Sequence, residues 1–509
     1  MNILLKTLRE KFNSNPKGLY ILFYTEMWEL FGRFGITALL VLYLTNFFHV
    51  PDAQAFLIYS AFIALIFATP ILGGYLADRY LGSKHAIIFG ACVMAAGNAL
   101  MVIPDKTMVF IGLAVVAVGS GFFLPSIPPV LSALYEKSEE KRDAGFTLYY
   151  LGKNIGALLA PIACGIVGKI YGLNYAFALS TIGMISGIVV FILGQKHLKQ
   201  YNKVARTDKR HEKLLGMHPH LAIYLFAVIL IPIIYFVIDK NMDGVLLAAT
   251  GLVVLLILVF ILVRRSNMER KHMVAIFIAI FFMMVFEAFL GQGGTTLNLF
   301  IEREVNRQIF GYMLPPSFFY SLDPIFMLIM GPILAGVWMR LARKGKEPQV
   351  IVKFAFALFL LALGFLVFTV AAHHAAQTGS ASLLFVILGY FLFPVAELMI
   401  IPISLSLVTK VAPKGLDALM VGIWMLSNAG ASYFTGQFSK VGQVNFNLHT
   451  TAQLEHAAGI YQHAFGLTAE ILVVSAVVLL ILVPVMKRLL STAEDTQSHA
   501  VSDKKVLQG

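Results

Sequence analysis

Glu26, Glu29 and Arg33 fall within TEMWELFGRFGITALLVLYL, residues 25–44, the greater part of one long apolar run. Glu26 and Glu29 are i,i+3 and Glu29 and Arg33 are i,i+4, so on a helix all three share one face. Two carboxylates and a guanidinium on one face can pair, exchange protons or hold a charged ligand. Lys153, Glu287, Asp323 and Glu397 interrupt later apolar runs in the same way. Each such group costs about 2.5–3.5 kcal/mol in hydrocarbon, so it faces a cavity or another charge rather than lipid. A structural ion pair locking two helices is the plain alternative for any single residue. Five acids against two bases leave charge for protons or other cations to balance. At least one carboxyl is then expected to hold a proton, the state a proton-coupled carrier uses.

The elements that must position these groups follow from composition. The chain has 509 residues, 59% hydrophobic and 13% charged, with a mean hydropathy of +0.81. Soluble domains hold about 25% charged residues, and apolar runs of about 20 residues are the length that crosses hydrocarbon as a helix. The expectation is an all-α polytopic membrane protein with fourteen spans, read from run length. Six lie at about 18–46, 54–77, 84–104, 107–135, 143–168 and 174–194. Two more, at about 219–239 and 243–264, flank a KNMDG turn. The last six lie at about 271–301, 316–342, 349–372, 380–410, 415–439 and 461–487. Six, two and six spans predict two similar bundles, at 18–194 and 266–490, with an inserted transmembrane hairpin at 218–265. A cytoplasmic N-terminus (1–17), linker (195–217) and tail (491–509) complete the division. Paired halves are how many secondary transporters enclose a cavity near the bilayer midplane.

Charge selects the side. Roughly thirty of the 39 Lys and Arg lie in the termini and in alternate connections, among them YLGSKH, the 195–217 segment and RLARKGKE, which makes that side cytoplasmic. Both termini are expected inside. The formal charge of +12 is therefore topological and gives no support to a nucleic-acid partner. Cys92 and Cys164 fall in apolar runs and form no disulfide framework, and the start shows no cleavable signal pattern. The thirteen histidines show no metal-ligand spacing, and no phosphate-binding glycine loop is present. No enzyme chemistry, metal or cofactor is expected.

GGYLADRYLGSK, residues 73–84, resembles the G-x-x-x-D-R-x-G-x-R/K loop of the major facilitator superfamily. That resemblance implies that Gly74 lets helix ends approach while Asp78 and Arg79 engage neighbouring helices, a cytoplasmic gating motif. Longer stretches are similar to the proton-dependent oligopeptide transporters, a branch of that superfamily. EMWELFGRFGITALLVLYL resembles the E-x-x-E-R-F opening, and RDAGFTLYYLGKNIGALLAP the F-x-x-x-Y-x-x-x-N-x-G segment. GGTTLNLF and ELMIIPISLSLVTKVAP match stretches of the family's seventh and tenth core helices. There are departures. Leu30 replaces the arginine after the second Glu, Arg33 and Phe34 replace two tyrosines, and Thr37 replaces a further arginine. Leu124 and Ser126 stand for a lysine and an asparagine, and Gly291 for the seventh helix's acid. Glu287 takes a tryptophan's place one turn earlier, and Asp323 replaces an asparagine.

The resemblance implies a major facilitator fold and proton-coupled import of di- or tripeptides across a bacterial inner membrane, by a monomer driven by the proton gradient. It places a peptide's amino terminus at Glu397, Asn154 and Asp323, and its carboxylate at Arg33 and Lys153. Proton coupling falls to Glu26 and Glu29, with Glu287 as a displaced third. Trp424, Gln292, Tyr149 and Tyr150 are candidates for the cavity wall, and Tyr320 is no better supported. Lys153 has an equal alternative, neutralising Glu26 or Glu29 without touching substrate. Pro125, Pro128, Pro129, Pro402 and the Gly291–Gly294 cluster are candidate bending points. An altered substrate, lost coupling, or a sensor with the same fold remain open readings.

Overall fold

The computed structural model describes residues 15–135, 142–198, 216–242, 244–249, 251, 260–261, 265–412, 416–445 and 450–490. It is almost wholly helical. The first bundle comprises α1 (Lys17–Asn46), α2 (Asp52–Leu76), α3 (Ser83–Met101), α4 (Lys106–Phe123) with its short continuation α5 (Ile127–Ala133), α6 (Arg142–Tyr171) and α7 (Leu173–Gly194). Helix α8 (Pro219–Asp239) follows. The second bundle comprises α9 (Asn267–Leu290) with α10 (Thr296–Glu304), α11 (Leu322–Arg343), α12 (Val350–Thr378), α13 (Leu383–Val411), α14 (Asp417–Ser439) and α15 (Thr451–Leu490). Twelve described helical segments are long and apolar enough to cross a membrane. Helix α14, with Ser427, Asn428, Ser432 and Thr435 along it, is a thirteenth long helix. Most of the expected second hairpin span, 243–264, lies outside the described residues, as do residues 199–215 of the linker and both chain ends.

Apolar side chains gather into two large cores. One collects residues from Leu19 to Ile238, with Leu299 reaching in. The other runs from Ala275 to Met486. Helix α8 packs on α4 and α2, which is why the first core extends to Ile238. Between hydrocarbon-facing helices there is little hydrophobic drive to associate, so close packing at small residues takes its place. A Cβ on Gly73 of α2 would strike the carbonyl oxygen of Gly121 in α4, so only glycine allows this approach. Helix α1, 30 residues and so roughly 45 Å long, exceeds the ~30 Å hydrocarbon thickness and places its acidic turn well inside.

Three breaks in the helices carry most of the irregularity. Leu124–Ser126 forms a 3₁₀ turn at Pro125, and Gly291–Gly294 forms another between α9 and α10. Pro402, by contrast, sits inside the continuous helix α13. After α2 the chain widens into a π-helical turn, Ala77–Leu81, ended by Gly82 at φ 75°. Helix α9 begins in a capping box: Ser266 Oγ accepts from the Glu269 backbone N–H, and the Glu269 carboxylate accepts from that of Ser266.

Two features were not anticipated. Gln308–Ile309 and Tyr312–Met313 form a small antiparallel hairpin, β1 and β2, after α10. Helix α15 starts about ten residues before the expected boundary of 461, because the apolar pattern that marks a span does not register its polar first turns.

Candidate functional site

A cavity of about 410 Å³ lies between the two bundles, within the range of small-molecule sites. Arg33, Lys153 and Asn154 line it from the first bundle; Glu287, Asp323, Glu397 and Trp424 line it from the second. Every residue predicted to bind substrate therefore reaches one space. Their helices meet because α2 packs along α14 and α6 packs on α11.

The bases are not free. Arg33 donates from Nε to Glu29 Oε1 at 3.0 Å and from Nη2 to Oε2 at 3.4 Å, the one-turn pairing expected from spacing alone. Lys153 Nζ lies 3.5 Å from Glu26 Oε1 and 5.8 Å from the ring of Tyr149. Glu29 is fully buried and Glu26 almost so, and neither lines the cavity. These carboxylates stand behind the bases, and of the four only Arg33 and Lys153 reach the cavity. The Lys153–Glu26 pairing anticipated as an alternative is thus present, yet Lys153 also faces the cavity.

The opposite wall is different. Glu287, Asp323 and Glu397 make no hydrogen bond or ion pair among the described residues, and Asp323 Oδ1 is buried without a partner. Asn154 spends its Nδ2 on the Tyr150 carbonyl at 2.9 Å, which leaves Oδ1 as an acceptor. Trp424 is held in place by an Nε1–H bond to Ser404 Oγ at 3.1 Å. Tyr150 lines the cavity and its hydroxyl reaches Met327 Sδ at 3.3 Å.

Other expectations require correction. Gln292 is buried and donates to Thr468 Oγ1 at 3.3 Å, since the 3₁₀ turn rotates it away from the cavity while Gly291 and Gly293 line it. Tyr149 is buried beneath Lys153 instead of lining the wall. Tyr320, given little weight, does line the cavity, with Tyr59 and Tyr390. Asn428 lines it too, with a buried and unpartnered Oδ1. An amide among the small hydroxyl residues of α14 was its available signal; the tyrosines carried none, because aromatics in spans more often pack. At the expected gating motif, Gly74 is buried with Pro125 close to where a Cβ would sit. Arg79, however, donates to the Tyr75 hydroxyl of its own helix at 2.7 Å, and Asp78 is exposed. The π-helical turn places Arg79 over Tyr75, its guanidinium 5.7 Å from the ring.

A second polar cluster lies where α1 finishes and α2 begins, the face expected outside. Arg303 makes a bidentate pair with Asp52, Nη1–Oδ2 2.6 Å and Nη2–Oδ1 2.8 Å, and also donates to Tyr461. The backbone N–H of Val444 donates to Asp52 as well. Asn46 donates to Glu302 at 2.6 Å, and Lys169 to the Met313 carbonyl of the β-hairpin. Opposite charges in otherwise sparse outer connections were the signal for this latch. Run length and the inside charge excess did not draw attention to it.

Two helical bundles around a shared, charge-lined central cavity define a membrane carrier. The model of the POT family (PTR2) matches residues 84–453. The dipeptide and tripeptide permease A of Serratia proteamaculans is 30% identical over 95% of this chain and 94% of its own length. That of Klebsiella pneumoniae is 30% identical over 93% of each. Among solved structures, a peptide transporter POT in complex with sulfate superposes with a TM-score of 0.79 at 28% identity, covering 93% of this chain and 96% of the other. A tetrameric PepTSo2 superposes at 0.79 and 26% identity, over 93% and 99%. The chain belongs to the POT family, with the major facilitator architecture of its solved members. It is a multi-pass protein of the inner membrane, and a transporter rather than an enzyme.

Proposed function

We propose that this protein imports di- and tripeptides by proton-coupled symport, alternating the exposure of the central cavity between the two faces of the membrane. The observation that carries the reading is the polarity of the cavity: bases on one wall, carboxylates on the other. A zwitterion spanning it satisfies both walls through charge-assisted hydrogen bonds. The peptide carboxylate meets Arg33 and Lys153, and its ammonium meets Glu397, Asp323 and the Asn154 oxygen. When the peptide carboxylate draws on Arg33 or Lys153, the hold on Glu29 or Glu26 weakens and that carboxylate can take a proton, which couples the two cargoes. Glu287, on the opposite wall, is the third candidate. The cavity lies within one chain, which supports transport by a monomer, and the basic connections support cytoplasmic termini. The proton gradient supplies the energy and no cofactor enters the cycle.

The test is uptake of labelled dipeptides into proteoliposomes under an imposed inward proton gradient. Accumulation above equilibrium, abolished in Glu29→Gln, is expected. Uptake that only equilibrates would overturn the coupling, and none from folded protein would overturn the peptide assignment.

A further inference from the structure

We infer that the favoured cargo is a peptide bearing an additional positive charge, such as one with a lysine or arginine side chain, and that Asp323 sets this preference. The inference rests on the peptide-carrier reading and deepens it.

The two walls are unequal in what they have left to offer. Each base already has a carboxylate: Glu29 engages two nitrogens of Arg33, and Glu26 lies against Lys153. Among the described residues Arg33 Nη1 makes no hydrogen bond, so that wall keeps enough capacity for one peptide carboxylate. The facing wall carries Glu287, Asp323 and Glu397, half-buried, on three different helices, and close enough to feel one another's charge. No Lys, Arg or His from the second bundle lines the cavity among the described residues. Asn428 Oδ1 adds a buried acceptor without a donor. Like charges gathered in a dehydrating site repel, and a ligand cation relieves that repulsion. If one carboxyl carries the coupled proton, two charges remain. A peptide's ammonium, held between Glu397 and Asp323, offsets one of these charges, and the other is left for a cationic side chain. A neutral dipeptide leaves a desolvated carboxylate unmatched, and an acidic one adds repulsion.

The experiment is competition. Proteoliposomes held at zero membrane potential take up a labelled peptide while unlabelled Lys-Ala, Ala-Lys, Ala-Ala or Ala-Glu is titrated against it. Basic peptides are expected to compete roughly tenfold more strongly than Ala-Ala, the size of one charge-assisted hydrogen bond. In Asp323→Asn that ratio should fall to about threefold or less. Should Asp323→Asn fail to fold, Glu287→Gln removes a charge from the same wall and is read in the same way. Equal competition by all four peptides would overturn the inference while leaving the carrier reading intact. A preference for basic peptides unmoved by both variants would overturn the assignment to this wall. Accumulation of none of the peptides would overturn the carrier reading, and this inference with it.

Discussion

Arg33 and Glu29 show how a charge can be tolerated inside a membrane protein: one helical turn brings the ions together, and burial of Glu29 makes the pairing obligatory. Removing one member of a buried pair is costly, about 3–5 kcal/mol, because the partner keeps its charge without its counterion. Arg33→Gln should therefore lower thermal stability in detergent and abolish uptake. Glu29→Gln combined with Arg33→Gln should recover much of the stability but none of the coupled accumulation. A double variant as unstable as Arg33→Gln alone would show that Glu29 is not the group left stranded. Trp424 permits a milder test. Trp424→Phe removes the bond to Ser404 and should cost about 1 kcal/mol, seen as a small fall in melting temperature.

Among the elements, the broken seventh core helix has the clearest mechanical role. The Gly291–Gly294 turn separates α9 from α10, and its bare backbone admits a side chain from the other bundle. A Cβ on Gly294 would collide with the Tyr59 hydroxyl. Gly294→Ala should thus force the bundles apart locally and destabilise by about 1–3 kcal/mol, the usual cost of overpacking. Tyr59→Phe in the same chain should restore only part of the loss, since it deletes the hydroxyl but leaves the ring carbons Cζ and Cε2, 2.5 and 2.8 Å from that position. Failure of that rescue in a thermal-shift measurement would place the strain elsewhere in the turn.

For the molecule as a whole, the Asp52–Arg303 pair joins the two bundles at the end expected outside, with side chains only 5% and 17% exposed. Alternating access needs such contacts to break and reform, and a two-state equilibrium moves with their differential energy. Arg303→Ala should favour the conformation open at that end. With Cys92 and Cys164 replaced by serine and a cysteine at Ser432 on the cavity wall, an impermeant maleimide applied from outside should label faster in Arg303→Ala. The charge swap Asp52→Arg with Arg303→Asp should bring the rate back. Unchanged labelling would mean that this pair does not hold the outer end closed.

The sequence alone determined the helical class, the boundaries of most spans and the presence of charges that had to face a cavity. These are properties of local composition: run length matches hydrocarbon thickness, and i,i+3 and i,i+4 spacing places Glu26, Glu29 and Arg33 on one face. Motif resemblance pointed to residues that the fold brings to one cavity wall or the other. Spacing within one helix could not show that Glu26 and Glu29 stand behind the bases, that Gln292 turns away, or that Arg79 folds back on Tyr75. It gave no sign of Tyr59 and Tyr390, and it left the Asp52–Arg303 latch unread. Gln292 and Arg79 are set by local 3₁₀ and π turns that the apolar pattern does not register, whereas the rest depend on how helices distant in the chain are rotated and packed against one another, a long-range outcome that no local pattern encodes.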